Sequence, residues 1–127
     1  MVNTSGTAGE QAVTDLLTEA GYTIVARNYH SRWGEIDIIA CDEKYIVFVE
    51  VKTRRDVRKA EPEEAVTRTK QQKLIQTALA YLQKYPQWQQ YQPRFDVAAV
   101  TVCGADVQSI RYLTGAFLLD WEQGGFF

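Results

Sequence analysis

Residues 35–52 read Glu35-Ile36-Asp37-Ile38-Ile39-Ala40-Cys41-Asp42-Glu43-Lys44-Tyr45-Ile46-Val47-Phe48-Val49-Glu50-Val51-Lys52. Two apolar, β-branched runs, Glu35 to Cys41 and Tyr45 to Thr53, flank the polar turn Asp42-Glu43-Lys44, so a β-hairpin is predicted. Three charged residues interrupt the apolar runs. Glu50 and Lys52 are two positions apart and leave the same face of their strand, and Asp37 is the matching anomaly in the strand before it. A buried carboxylate or ammonium is costly unless it is paired or holds a metal ion. With an even-numbered loop, Cys41 faces Ile46, Asp37 faces Glu50 and Glu35 faces Lys52. Directly opposed Cβ atoms are ~5 Å apart, and two carboxylates that close repel unless a cation lies between them. An odd-numbered loop would place Asp37 and Glu50 on opposite faces and remove the argument.

Granting the even register, the chemistry is specific. Magnesium prefers a couple of carboxylates, keeps several waters and accepts a substrate phosphate oxygen. Asp37 and Glu50 are therefore the candidate metal ligands, for Mg2+ or Mn2+, and Lys52 the candidate partner for a water or for developing negative charge. The competing reading is a strand end at which Glu50 and Lys52 pair with Glu35, with Arg54 or with each other.

Outward from the hairpin, Gly6 to Ala20 reads as an amphipathic helix with Val13, Leu16, Leu17 and Ala20 on one stripe and Gly21 as its stop. Tyr22 to Tyr29 reads as a strand. Glu10 shares the inward stripe of Val13 and Leu17, yet Thr7 to Glu10 also has capping-box spacing, so a site role and a capping role are both open. On the other side, Arg54 to Pro62 is a charged loop, and Glu63 to Tyr85 has helical spacing through Val66, Leu74, Ala78, Leu79 and Leu82 until Pro86 ends it. Lys70 lies on that inward stripe, either snorkelling or reaching a substrate. Phe95 to Cys103 and Val107 to Leu113 are predicted strands joined by Gly104-Ala105-Asp106, and Ala116 to Trp121 a short terminal helix. The order α-β-β-β-α-β-β predicts an α/β domain with a mixed sheet, residues 1–127 forming one domain with an apolar tail at 116–127.

Composition narrows the function classes. The 127 residues are 46% hydrophobic and 24% charged, enough for a core. No apolar run approaches the ~20 residues of a membrane span, and Met1 to Glu10 has no signal-peptide character, so a cytoplasmic protein without a membrane partner is expected. Cys41 and Cys103 are the only two cysteines, expected as two buried thiols, and with one histidine a structural zinc site is excluded. That histidine, His30, is expected in a surface loop. No GxxxxGK phosphate loop occurs. The net charge of −2 argues against a nonspecific nucleic-acid coat, but eight of the fourteen basic residues fall between Lys52 and Lys73. A basic rim at one place fits a phosphate-binding site and fits a solvated loop almost as well.

The pattern of Asp37 followed by Glu50-Val51-Lys52 in an apolar strand resembles the PD-(D/E)xK nuclease superfamily. Within it the chain is similar to the uncharacterised bacterial YraN-like family. That likeness is carried by Gly9-Glu10, Gly21-Tyr22, Arg27-Asn28, Gly34 to Ala40, Val47 to Arg54, Ala65-Val66, Lys70, Ala80 to Leu82 and Arg94 to Val97, with Ile36 where the motif name has proline. The resemblance implies a restriction-endonuclease-like fold similar to Holliday-junction resolvases, with Asp37, Glu50 and Lys52 as the motif and Glu10 as a helix-borne acid.

The function expected is magnesium-dependent hydrolysis of phosphodiester bonds in DNA, at branched or damaged structures, with phosphate contacts from Arg32, Arg54, Arg55 and Lys70. Two alternatives stay open: a noncatalytic nucleic-acid-binding module, and an interaction domain of a larger complex. The tail, with Phe117, Leu118, Leu119, Trp121, Phe126 and Phe127, either packs on its own domain or forms a homodimer face.

Overall fold

The computed structural model describes residues 4–55 and 67–117. Its elements are α1 (Thr4–Glu19), β1 (Thr23–Ser31), β2 (Gly34–Cys41), β3 (Tyr45–Arg54), α2 (Arg68–Lys84), β4 (Gln92–Cys103) and β5 (Asp106–Phe117), with a 3-10 turn at Pro86–Trp88. The expected order α-β-β-β-α-β-β is the observed one. The five strands form one sheet in the order β1-β2-β3-β4-β5. β1, β2 and β3 are antiparallel neighbours, β3 and β4 are parallel, and β5 returns antiparallel to β4. A parallel pair cannot be joined by a tight turn, and α2 lies in the connection between β3 and β4.

The helices take opposite faces of the sheet. Val13 and Leu17 of α1 pack with Ile38, Ala40, Val47, Val49, Ala98, Val100 and Val102. Leu74, Ile75, Ala78 and Tyr81 of α2 pack with Ile36, Ile39, Ile46, Phe48, Phe95 and Val97 on the other face. A strand covered on both sides needs apolar side chains at successive positions, which is why residues 46–49 of β3 are apolar and all buried. α1 ends in a Schellman motif. The N–H of Tyr22 donates to the Leu17 carbonyl at 2.9 Å, and the N–H of Gly21 to that of Thr18 at 3.1 Å. Gly21 makes this possible with φ +97°, a conformation open to glycine.

Several boundaries and two environments differ from expectation. α2 starts at Arg68, not Glu63, because Thr67 is extended (ψ 163°) and caps the helix by accepting from the N–H of Lys70 at 3.2 Å. The positions of Val66 and of the loop residues 56–62 lie outside the described residues. α1 starts at Thr4, so Thr7 is inside the helix and cannot be its N-cap. β5 runs on to Phe117, so Ala116 and Phe117 are strand and not helix. The cause is tertiary: Phe117 pairs with Phe95 across the ladder and its ring stacks on the Phe95 ring at 5.1 Å. The start of the apolar tail thus packs on its own domain, and residues 118–127 lie outside the described residues. The two thiols are not buried. Cys41 is half-buried and Cys103, next to the Gly104 turn, is exposed. His30 is a strand residue rather than a loop residue, paired with Glu35 in the β1–β2 ladder, and its imidazole is at the surface.

Candidate functional site

The hairpin register is the even one. Cys41, Ala40, Ile39 and Ile38 pair with Ile46, Val47, Phe48 and Val49. The turn is local chemistry: Asp42 Oδ1 accepts from the N–H groups of Lys44 at 2.8 Å and Tyr45 at 2.7 Å. Such an Asx turn fixes where the strands meet without help from the rest of the fold.

Backbone pairing stops one step short of the charged residues. Beyond Ile38 and Val49, the Asp37 side chain takes over: its Oδ2 accepts from the N–H of Val51 at 2.7 Å. Across β1, the residue opposite Asp37 is Asn28, between the pairs Arg27–Ile38 and Tyr29–Ile36. Asn28 has φ +52°, a left-handed geometry that asparagine tolerates better than most side chains. The alternation of β2 breaks at this point, since Ile36 and Ile39, three residues apart, both join the α2-side core. Asp37 is thereby aimed along the end of the ladder, toward β3.

On β3, Glu50 is buried with 6% exposure. Lys52 Nζ lies 3.5 Å from Glu50 Oε2, and Lys70 Nζ reaches the same oxygen from α2 at 2.8 Å. These groups open into a cleft of about 590 Å³ whose walls include Gly34, Asp37, Glu50, Lys52, Lys70 and Lys73. Burial, and next the Glu50 carboxylate, push the Asp37 carboxyl up to about 7, against the opposing pull of its bond from Val51. Burial lowers the Lys52 ammonium, and the neighbouring Lys70 lowers it further, with Glu50 opposing. Burial, the largest single effect, would lower Lys70 too, but its bonds to Glu50 and Lys52 and the charges of Glu50 and Asp37 together outweigh it and raise it. With two ammonium groups on one carboxylate oxygen, the nearer keeps its proton more firmly.

The electrostatic state of Asp37 gives a sign-definite stability prediction. Its carboxyl titrates near 7 when folded and near the ordinary 3.8 when unfolded. Between those values the folded chain holds the extra proton, so stability falls as pH rises from about 4 to about 7. Asp37→Asn removes that penalty. In EDTA at pH 8 the variant is expected to melt higher, on the order of 2 kcal/mol or roughly 5 °C, and at pH 4 the gain should vanish. Calorimetry at both pH values checks this, and an equal shift at each would contradict it.

Residues 9–100 match the family model described as "Uncharacterised protein family UPF0102". The chain is 47% identical over 118 residues to a UPF0102 protein of Chlorobium phaeobacteroides, covering 89% of this chain and 93% of that one. It is also 41% identical over 114 residues to a UPF0102 protein of Geobacter sulfurreducens, covering 90% and 88% of the two chains. The chain belongs to the UPF0102 family. This is the YraN family that the sequence blocks pointed to, and its description carries no activity. The matched span of the UPF0102 domain takes in Glu10, Asp37, Glu50, Lys52 and Lys70, so function has to be argued from how those residues are arranged.

Of the expected site residues, Asp37, Glu50, Lys52 and Lys70 meet in the cleft. Glu10 does not line it. It rides on α1, on the other face of the sheet, with Glu10 Oε1 3.9 Å from Arg27 Nη2, although its charge still raises Asp37. Glu35 lies at the cleft rim and pairs with His30 at 3.3 Å rather than with Lys52. Arg32, Arg54 and Arg55 lie outside the lining: Arg32 is at the β1–β2 turn, Arg54 closes β3 and Arg55 follows it. Thr67, Thr69 and Lys73 do line the cleft and were not singled out from sequence. Lys73 carried a usable signal, because it follows Lys70 by one helical turn.

The side-chain donors lining the cleft are oxygens, the carboxylates of Glu35, Asp37 and Glu50 and the hydroxyls of Thr67 and Thr69, with no thiol or imidazole among the lining residues. Among the described residues there is no group of three His, Cys, Asp or Glu able to hold a metal ion. A hard cation completed by water and substrate oxygen fits two carboxylates, and a zinc-type cage does not. No described helix is long and apolar enough to cross a membrane.

Proposed function

We propose that this protein is a metal-dependent nuclease that hydrolyses phosphodiester bonds in DNA, using Mg2+ or Mn2+. The observation that carries the reading is the convergence of Asp37, Glu50 and Lys52 at one end of two paired strands, in a cleft faced by Lys70 and Lys73. Asp37 and Glu50 would hold the cation. When bound, that ion supplies Lewis-acid polarisation of the phosphoryl group and lowers the pKa of water.

The chain's own residues do the rest. Lys70 and Lys73 offer positive charge to a strand entering from the α2 side. Lys70 neutralises Glu50 until another cation takes its place. Lys52 presents an ammonium beside the carboxylate pair, where charge builds on the attacked phosphate. Groups already aimed at that charge need no reorganisation during the reaction. Burial lowers the Lys52 ammonium and so eases exchange of a proton at Nζ.

A second reading, a noncatalytic nucleic-acid-binding module, is favoured by one contact: Glu50 is already satisfied by Lys70 at 2.8 Å. Labelled single-stranded, duplex, flap and four-way-junction DNA separates the two. The nuclease cleaves at least one substrate in magnesium or manganese and none in EDTA. Intact substrates throughout, with salt-sensitive binding by folded protein, would establish the module instead.

A further inference from the structure

The β1–β2 hairpin closes at the pair Ser31–Gly34, so Arg32 and Trp33 alone form its tip. Trp33 is 43% exposed, the most exposed large apolar side chain among the described residues. The tip is well held. The N–H of Trp33 donates to Ser31 Oγ at 3.1 Å, and the Arg32 guanidinium lies 4.8 Å from the indole centroid. Gly34, with φ +151°, presses the base of the hairpin onto α2, where a Cβ would stand 3.2 Å from Thr77 Oγ1. Gly34 and Glu35 are also cleft wall, so the indole is presented one residue from the chamber that holds Asp37 and Glu50.

We propose that Trp33 is a stacking platform for an unpaired nucleobase of the strand whose phosphate enters the cleft, with Arg32 holding a flanking phosphate. This rests on the nucleic-acid reading given above and adds the substrate class: a strand with unstacked bases rather than a continuous duplex. An indole with two torsions, fixed at a tight turn, loses little entropy when a flat ring is laid on it. Every base has a π-face, so the contact selects for unpaired structure and not for sequence. The cationic neighbour suits a polyanion, whereas an apolar protein partner would bury an uncompensated guanidinium beside the ring.

The test is equilibrium binding in EDTA, where no cleavage intervenes, by the full chain and its Trp33→Ala and Trp33→Phe variants. The probes are a fluorescent single-stranded DNA, the matching RNA, a DNA of the same length with abasic positions, and a blunt duplex. Trp33→Ala is expected to weaken binding to single-stranded DNA or RNA about tenfold and to leave duplex binding unchanged. Trp33→Phe should stay within about threefold of wild type, since a flat ring is retained. Wild type should bind the abasic strand as weakly as Trp33→Ala does. Unchanged single-strand affinity in folded Trp33→Ala, or equal losses on single strand and duplex, would overturn the platform alone. Wild-type protein that binds none of the probes would overturn the nucleic-acid reading with it.

Discussion

Lys52→Ala is expected to slow metal-dependent cleavage by about a hundredfold to a thousandfold while leaving the protein folded. The two halves of that expectation have separate causes. Lys52 enters the sheet through its backbone, paired with Ala99 of β4, and alanine keeps that pairing. The lost ammonium is 3.5 Å from Glu50, but Lys70 remains at 2.8 Å to neutralise the carboxylate. The melting temperature should therefore move by only a few degrees. Chemistry has no such substitute, because Lys70 and Lys73 reach the cleft from α2, whereas Lys52 is presented from β3 itself, two residues along from Glu50. Single-turnover cleavage, with Mn2+ affinity and circular dichroism on the same samples, separates a lost rate from lost binding or folding. A Lys52→Arg variant sharpens the result: it keeps the charge but cannot give up a proton near neutrality. Partial activity in arginine assigns Lys52 an electrostatic role, and activity as low as alanine's assigns it proton exchange. Cleavage by Lys52→Ala within tenfold of wild type would remove Lys52 from the mechanism.

How much of this site was legible beforehand depended on how local its causes are. The register of β2 against β3 follows from Asp42 folding back on Lys44 and Tyr45, an event within four residues, so strand alternation placed Glu50 and Lys52 on one face correctly. The bond from the Val51 N–H to Asp37 was not legible. It requires the β2–β3 ladder to end at the Ile38–Val49 pair, which leaves no mark on hydrophobic period. The late start of α2 has a similar origin. A 3.6-residue pattern cannot see that Thr67 caps the helix. β5 runs past the expected end at Leu113 because the Phe95 ring across the ladder meets Phe117 and continues the strand. Lys73 and Trp33 matter only through what lies beside them. Glu10 was read correctly as turned toward the protein, but an inward stripe on α1 leads to the opposite face of the sheet from α2.

Asp96→Ala should be the most destabilising single change away from the cleft, and the reason is a charge pair with almost no water. Asp96 is 1% exposed. Arg94 grips it twice, through Nε at 3.0 Å and Nη2 at 2.8 Å, and it also accepts from the Tyr112 hydroxyl at 2.5 Å and the Gly115 N–H at 2.9 Å. The same Arg94 Nη2 donates to the Tyr22 hydroxyl at 2.9 Å, and the guanidinium lies 4.8 Å from the Tyr45 ring centroid. One carboxylate thus ties β4 to β5 and, through arginine, to the entry of β1 and the start of β3. Removing it leaves a guanidinium with 12% side-chain exposure and without the carboxylate it is bonded to, plus a stranded hydroxyl and N–H. Breaking a buried pair from one side costs about 3–5 kcal/mol, a large part of the ~5–15 kcal/mol that holds a domain together. Urea unfolding at pH 7 is expected to show a loss of that size for Asp96→Ala and a smaller one for Asp96→Asn, whose amide oxygen can still accept. The double variant Arg94→Met/Asp96→Leu tests the cause. If the cost is the orphaned charge, apolar replacements of both partners recover much of it. If the double variant is as unstable as Asp96→Ala, the network contributes through its specific strand-to-strand hydrogen bonds. A loss below about 1 kcal/mol in Asp96→Ala would mean that water reaches Arg94 and that the cluster does not hold these strands together.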